Sequence, residues 1–524
     1  MWHAPLAAGG LLLLSCLGSA TEAYWPYTSF KTGPWEPPQL QINKTDGIDP
    51  GLFFIPIRNE NPLGSAVTIY DNDGELVYQG PEEKSMNFRV QKLFDQDVIT
   101  FWSGEVEIVG GYGYGKVHIL DTTYREIYTI TLTDNSDFKF VTATGNSHDS
   151  YIDVHEHQIT DRNTILVSAI NVTQQDLSSF DGPSDAWITA SQFYEIDIAT
   201  NEIVFSWNSL DHQDKIPLSE SRQPMLAHSV QDNPWDLYHL NSIAATNNGY
   251  LISMRFYCSV FFLNKDGSVR WRLAVSYLDK VSPRFLDQEE SNNNLQGDSG
   301  EGDITGEEMR FSWQHDARVY NETNKSLVLS LFNNANRKSQ SEGESTGMVF
   351  NIDLTTMNGS LLSNISDPTN STYSQTQGNF QFTDPLSTTS NIIIGYGNVP
   401  QFKEYNSKGE VVFSGQFGAP THAMSYRVFK HNWKATPFWN PAAVIEDGVI
   451  YMSWNGATEY DNWAIYSLPS IDSNETTLLA TRTCTGFETN MNISDTSGDQ
   501  IRFIKVAARR GETILRFSDA IEVF

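Results

Sequence analysis

The sequence predicts an all-β fold: a β-propeller of six or seven four-stranded blades, followed by a small C-terminal β extension. Three observations carry this. Helical periodicity is almost absent, and short apolar runs alternate with turn residues instead. A hairpin of two apolar strands recurs along the chain, its tightest form being Val67-Thr68-Ile69-Tyr70-Asp71, the turn Asn72-Asp73-Gly74, and Glu75-Leu76-Val77-Tyr78. Before each hairpin after the first lie two further strands, so the repeating unit has four, and a four-stranded unit at intervals of roughly 40 to 90 residues is a propeller blade. The innermost strands are expected to start near Asn87, His155, His239, His315, Gln377 and Asn440. The hairpin around Asp71 is either a further blade or the closure of the ring. A pair of β-sandwiches is the alternative, and it predicts no fixed repeat phase.

Taken in order, residues 1–23 read as a secretory signal. Residues 6–20 are apolar and small around Leu11-Leu12-Leu13-Leu14, and both Gly18-Ser19-Ala20 and Thr21-Glu22-Ala23 end in the small residue a signal peptidase needs. The run is too short to span a bilayer, and neither a later stretch nor the C-terminus reads as a membrane anchor. Residues 24–38 are aromatic and proline-rich, an irregular arm. Looser hairpins follow at residues 117–128, 193–205, 261–271 and 402–413, with Asp266-Gly267 and Lys408-Gly409 as turns. Residues 282–308 are polar, acidic and Asn/Gly-rich, a loop between blades, and residues 337–346 form a shorter one. Strands at 501–507 and 513–517 follow the last unit. The expected division is a propeller over 24–483 and a C-terminal β extension over 484–524, packed on it.

A net charge of -30 argues against nucleic acid or an anionic membrane as partner. Cys16 leaves with the signal, so Cys258 and Cys484 allow one disulfide at most, and Cys258 in its apolar strand reads as a buried thiol. Sequons begin at Asn43, Asn171, Asn321, Asn324, Asn358, Asn364, Asn370, Asn474 and Asn492. With a signal peptide they predict a secreted, extracellular glycoprotein.

His155, His239 and His315, three of the chain's 11 histidines, fall at one repeat phase. A repeat phase is a position in space, so the imidazoles are expected to converge on one axial cavity. Arg255 closes the second strand of the His239 blade and is expected at the same mouth, where a guanidinium beside imidazoles suits an anionic substrate. Arg318 is expected to leave on the other strand face. Three histidines with Glu156 or Asp316 would alternatively hold a metal, although only His155-Glu156-His157 has a dense spacing. Trp235, Trp313 and Trp454 are candidates for stacking an aryl ring, with core packing as the competing reading. Gly110-Gly111-Tyr112-Gly113-Tyr114-Gly115-Lys116 imitates a phosphate loop. Val117 stands where a metal-binding hydroxyl is needed, and a strand follows, so no nucleotide cofactor is implied.

The sequence resembles the arylsulfotransferase family, in particular its secreted fungal branch. The matching pieces are Ile69-Tyr70-Asp71-Asn72-Asp73-Gly74-Glu75-Leu76-Val77, Asn87-Phe88-Arg89-Val90-Gln91, Leu120-Asp121-Thr122-Thr123-Tyr124-Arg125-Glu126, His155-Glu156, and Trp207-Asn208-Ser209-Leu210-Asp211-His212. They continue with His239-Leu240-Asn241-Ser242, Phe311-Ser312-Trp313-Gln314-His315-Asp316-Ala317-Arg318, Gln377-Gly378-Asn379 and Ser453-Trp454-Asn455-Gly456-Ala457-Thr458-Glu459. The resemblance implies a β-propeller enzyme that moves a sulfuryl group from a small aryl sulfate to a phenol without a nucleotide donor or other cofactor. In the bacterial branch a channel histidine is transiently sulfurylated, helped by two histidines and an arginine. By motif these fall on His315 as nucleophile, with His155, His239 and Arg255 assisting. One departure is Phe256-Tyr257-Cys258-Ser259, where the family usually has a polar run. A non-catalytic propeller binding a ligand or protein on its face is the rival expectation.

Overall fold

The computed structural model describes residues 25–59, 65–107, 110–136, 138–225, 229–274, 303–304, 306, 309–337, 340–341, 343–495 and 501–523. The expected signal segment and most of the acidic loop at 282–308 lie outside them. The described chain is β-strand with a few 3₁₀ turns and no α-helix. None of its helices is long and apolar enough to cross a membrane.

Six blades, each built on four antiparallel strands, surround one axis. Blade two is Ser85–Leu93, Gln96–Val106, Gly113–Leu120 and Glu126–Ile130. Blade three is His157–Ile159, Thr164–Gln175, Ala186–Asp197 and Ile203–Asn208. Blade four is Leu240–Ala245, Gly249–Met254, Ser259–Asn264 and Val269–Ala274, and blade five is His315–Tyr320, Ser326–Asn333, Thr346–Asp353 and Asn358–Ile365. Blade six is Asn379–Phe382, Ile392–Gly395, Gln401–Tyr405 and Val411–Gln416, edged by Gln41–Lys44 from the N-terminal arm. Five expected inner-strand starts thus fall within about two residues of observed ones. Turn chemistry matches the pairing. At the first hairpin Gly74 takes φ +79°, and the Asp71 carboxylate accepts the amides of Asp73 at 2.8 Å and Glu75 at 2.9 Å.

The sixth inner strand differs from expectation. Blade one takes Leu52–Asn59, Ala66–Tyr70 and Leu76–Glu82 from the N-terminal side and Phe429–His431 from the far end of the ring. Leu52 faces His431 and Phe54 faces Phe429, so the two ends of the propeller share one blade. The hairpin at Asp71 therefore closes the ring, and no strand near Asn440 lines the channel. Instead Ala442–Glu446 pairs with Val449–Ser453, which pairs with Glu488–Asn492. A second sheet joins Thr477–Thr483, Asn462–Leu468, Phe503–Arg510 and Thr513–Phe517. The two sheets enclose Ile450, Met452, Trp454, Trp463, Ile465, Ile504 and Val506. The expected boundary at 483/484 thus cuts through paired sheets, and the change of architecture comes just after His431. The reason is physical: a sandwich strand and a blade strand share the same period-2 burial, which a sequence cannot assign to one partner.

The inner strands bulge where they enter the channel. Register shifts occur at Met86/Arg89, Leu240/Ser242 and His315/Arg318. Asn87, His239, Asp316 and Gln377 hold left-handed φ of 54° to 65° at this level. Bulges re-aim side chains, and non-glycine residues with positive φ concentrate at functional sites. The bulged asparagines also staple neighbouring blades: Asn87 Nδ2 donates to Val154 O at 2.7 Å and Asn241 Nδ2 to Gln314 O at 2.6 Å, each just ahead of a histidine.

Candidate active site

His155, His239, His315 and Arg255 are all buried at one end of the channel. The rings of His155 and His239 stand edge to face with centroids 4.9 Å apart. Tyr112 lies 5.3 Å from His155 and 5.0 Å from His239, and Tyr426 lies 5.6 Å from His155 and 6.4 Å from His315.

Each histidine has a fixed partner. Nδ1 of His155 meets Asp153 Oδ2 at 2.6 Å, and Nδ1 of His239 meets Asp236 Oδ2 at 2.6 Å. Asp153 is oriented by the amide of Gly113 at 3.0 Å. This gives the glycine-rich stretch a purpose. A Cβ on Gly115 would lie 2.2 Å from Ser103 O and 2.7 Å from Trp102, so glycine lets that indole fill the space between strands. Asp236 also accepts from Tyr112 Oη at 2.6 Å and Thr189 Oγ1 at 2.9 Å. His315 is different, because its Nδ1 meets the neutral Asn334 Oδ1 at 2.7 Å. The Asn334 amide nitrogen donates to Ser374 O at 3.0 Å and Gln377 O at 2.9 Å, so its oxygen must face the ring. His315 therefore carries its proton on Nδ1 and a lone pair on Nε2, and the Gln377 N–H points at that lone pair at 3.2 Å.

Burial, reinforced by Arg255, holds His315 well below the usual imidazole range despite the Asn334 bond. Burial also lowers His239 to about 4, outweighing its carboxylate partner, with His155 and Arg255 acting in the same direction. For Asp153 and Asp236 burial pushes the pKa up, but the hydrogen bonds and charge attraction of their histidines win and hold them below the ordinary value. Arg255 is lowered by burial to about 10 and stays a cation at neutral pH.

Arg255 begins a 3₁₀ turn after its strand, and its guanidinium stacks 4.4 Å from the Trp313 ring centroid and 4.9 Å from that of Phe256. Its Nε has no hydrogen-bond partner, and none of the ion pairs among the described residues includes it. A buried cation held by aromatic faces and not by a carboxylate is an open anion site.

Beneath the histidines the channel is sealed by charge. Glu156 receives Arg89 Nη2 at 3.1 Å, Arg318 Nη2 at 2.6 Å and Arg427 Nη1 at 3.1 Å. Asp316 lies 2.6 Å from Arg318 Nη2 and 3.3 Å from Arg427 Nε. Arg318 thus enters the channel, contrary to expectation, because the bulge at His315/Arg318 shifts the alternation of its strand by a residue. Glu156 and Asp316 are committed to these guanidiniums. Among the described residues no three His, Cys, Asp or Glu side chains converge as metal ligands. Of the tryptophans, Trp313 backs Arg255, while Trp235 sits in the core between blades three and four and Trp454 in the C-terminal sandwich. The aromatic walls of the site are Tyr112, Phe256, Trp313 and Tyr426. Cys258 and Cys484 are not joined in a disulfide.

A family model described as Arylsulfotransferase (ASST) matches residues 89–276 and 286–418, more than half of the chain. The chain belongs to the arylsulfotransferase family. The matched segments contain His155, His239, Arg255 and His315, whereas the resembling pieces at residues 69–77 and 453–459 lie outside them. No curated protein matches the chain. Among solved structures the chain is similar to a protein of unknown function from Bacteroides caccae at 11% identity and a TM-score of 0.37, covering 73% of this chain and 99% of that one. It is similar also to the GH93 α-L-arabinofuranosidase of Fusarium graminearum, at 10% identity and a TM-score of 0.31, covering 80% and 97%. Membership supports an arylsulfotransferase-type function in general terms.

Sequence reasoning missed the partners of the arylsulfotransferase histidines. Asp153 and Asp236 stand two and three residues ahead of them, a spacing visible in the chain. Asn334 and Tyr426 carry no such signal, since only the fold brings them in.

Proposed function

We propose that this enzyme moves a sulfuryl group from an aryl sulfate to a phenolic acceptor through a sulfated His315, with no nucleotide donor. The observation that carries the reading is the buried, carboxylate-free Arg255 guanidinium beside three imidazoles. Around the channel stand four guanidiniums (Arg89, Arg255, Arg318, Arg427) and four carboxylates (Asp153, Glu156, Asp236, Asp316). With neutral imidazoles the set has no net charge. An aryl sulfate adds one negative charge, which one proton on the His155–His239 pair cancels.

The reaction then runs in two halves. The Nε2 lone pair of neutral His315 attacks sulfur once the Gln377 amide has turned aside, and the S–O bond to the aryl group breaks. The departing phenolate takes the proton from the His155–His239 pair, whose aspartates stabilise the imidazolium; such proton transfer is worth about 10²–10⁴-fold. Arg255 holds the sulfuryl oxygens throughout a loose, phosphoryl-like transition state. In the second half the acceptor phenol gives its proton to the same pair and attacks sulfur, the N–S bond breaks, and His315 is restored.

The test is a quench with labelled aryl sulfate followed by peptide mapping under alkaline conditions. Label is expected on His315, and His315→Ala should abolish turnover while the fold survives. Label elsewhere, or undiminished turnover, refutes the assignment. Turnover of a chromogenic aryl sulfate with a phenol also decides against the rival, a ligand-binding propeller, for which the Gln377 amide would be a permanent cap on His315 Nε2.

Secretion and glycosylation belong to the same proposal. Eight sequon asparagines are exposed, while the Asn171 side chain is held by Val141 N at 2.7 Å and Lys139 O at 3.2 Å. A mass spectrum of the native protein should lack the signal, ending at Ala20 or Ala23, carry glycans, and find Asn171 bare. Retention of Leu11 to Leu14 with every sequon bare removes the reading.

A further inference from the structure

Three side chains each precede a member of the buried charge cluster by one residue: His155 before Glu156, His315 before Asp316, and Tyr426 before Arg427. Two are the imidazoles already placed. Tyr426 is contributed by the segment that closes the ring, and its phenol stands at the same level. It is 3% exposed, its ring is edge-on to His155 at 89° and to His315 at 74°, and its Oη is buried with no hydrogen-bond partner. Its backbone carbonyl accepts the amide of Gly378 at 3.0 Å, which ties it to the segment capping His315 Nε2.

A buried hydroxyl without a partner costs about 1–3 kcal/mol, and native proteins carry few of them. This one is an available donor. Burial is the main cause that keeps the phenol protonated, helped by the nearby carboxylates of Asp153, Glu156 and Asp316 and opposed by Arg427. Arg255 Nε, which stands by the same histidine, is likewise a donor left without a partner. Two orphaned donors around one histidine call for a ligand rich in acceptors, and a sulfuryl group brings three oxygens.

We propose that Tyr426 is a further catalytic residue, its Oη–H donating to a non-bridging sulfuryl oxygen opposite Arg255 while the group passes to and from His315. The inference rests on the sulfuryl-transfer reading. The hydroxyl is neither made nor broken in the step; it stabilises charge on the equatorial oxygens, so its effect falls on the transition state more than on binding.

The experiment compares wild type with Tyr426→Phe in three readings on the full chain: turnover of p-nitrophenyl sulfate with a phenol acceptor, thermal stabilisation by inorganic sulfate, and the unfolding temperature without ligand. Expected are a kcat lower by about 10²–10³-fold with KM within about threefold. The sulfate-induced shift should be smaller. The ligand-free unfolding temperature should be equal or slightly higher, because an unsatisfied hydroxyl has gone. Equal kcat and an equal sulfate shift overturn the proposal. So does a fall of several degrees in the ligand-free unfolding temperature, which would give the hydroxyl a structural partner. If wild type does not turn over aryl sulfate at all, yet Tyr426→Phe weakens the sulfate shift, the tyrosine stands as an oxyanion ligand and the sulfuryl-transfer reading falls.

Discussion

Replacing Glu156 by Gln is the sharpest test of the sealed channel. Glu156 has no exposed side-chain surface and is the common acceptor of Arg89, Arg318 and Arg427, themselves 8%, 11% and 0% exposed. Glutamine keeps the shape and one acceptor but turns an –NH₂ toward guanidinium donors. Three buried cations then share one carboxylate, Asp316, which contacts only two of them. Breaking a buried ion pair by removing one partner costs about 3–5 kcal/mol, because a charge is left uncompensated. The loss should appear as a lower urea midpoint at unchanged slope, read by circular dichroism of the strands. Glu202→Gln, at an exposed position, should stay within about 0.5 kcal/mol of wild type. Adding Arg318→Met to Glu156→Gln should restore more than about 1 kcal/mol, since one orphaned charge leaves with it. A single-mutant loss below about 1 kcal/mol, or strict additivity in the double mutant, would refute a charge-balanced plug.

Asp236→Asn removes the anion that would stabilise a proton taken up by the His155–His239 pair with the bound aryl sulfate. Turnover of unactivated phenyl sulfate should fall by 10-fold or more beyond any loss with p-nitrophenyl sulfate, whose phenolate leaves unaided; equal losses count against proton transfer. Arg255→Lys keeps the charge but loses the planar stack on Trp313, and should raise KM for aryl sulfate about 10–100-fold; an unchanged KM and sulfate shift would remove Arg255 as the anion clamp. Stability should also depend on pH. His239 stays neutral down to about 4 in the fold, while the unfolded chain takes up the proton as pH falls through 6.5. Its contribution is therefore complete above 6.5 and lost as pH falls toward 4, roughly 3 kcal/mol from this group. Thermal unfolding between pH 4.5 and 7 should follow that sign, and a flat profile contradicts it.

Some of this was legible in the chain because it repeats. His155, His239 and His315 announce themselves by recurring at one phase of a repeat, and Arg255 by closing a strand of one of those blades. Tyr426 was not legible, because its inner strand, Phe429–His431, spans three residues and pairs with Leu52–Asn59, so no local hairpin marks it. The unit at Asn440 was misread for the complementary reason: local alternation specifies a strand but not its neighbours. The Arg318 side chain followed the bulge and not the simple alternation. The partners of the histidines divide in the same way, with Asp153 and Asp236 adjacent in sequence and Asn334 delivered by the tertiary structure alone.

The latch formed by Leu52–Asn59 and Phe429–His431 also has a consequence in time. Blade one leaves the ribosome first, but its apolar edge at Leu52, Phe53 and Phe54 finds its partner only ~375 residues later. At ordinary elongation rates that is a wait on the order of tens of seconds. Through that interval a nascent chain carries an open strand edge, the kind of surface that invites mispairing and chaperone capture. The segment that ends the wait also delivers Tyr426 and Arg427 to the channel. Sulfate-dependent protection of Tyr426 in a growing chain would therefore mark the moment at which the ring becomes continuous, and no shorter translation product should acquire it.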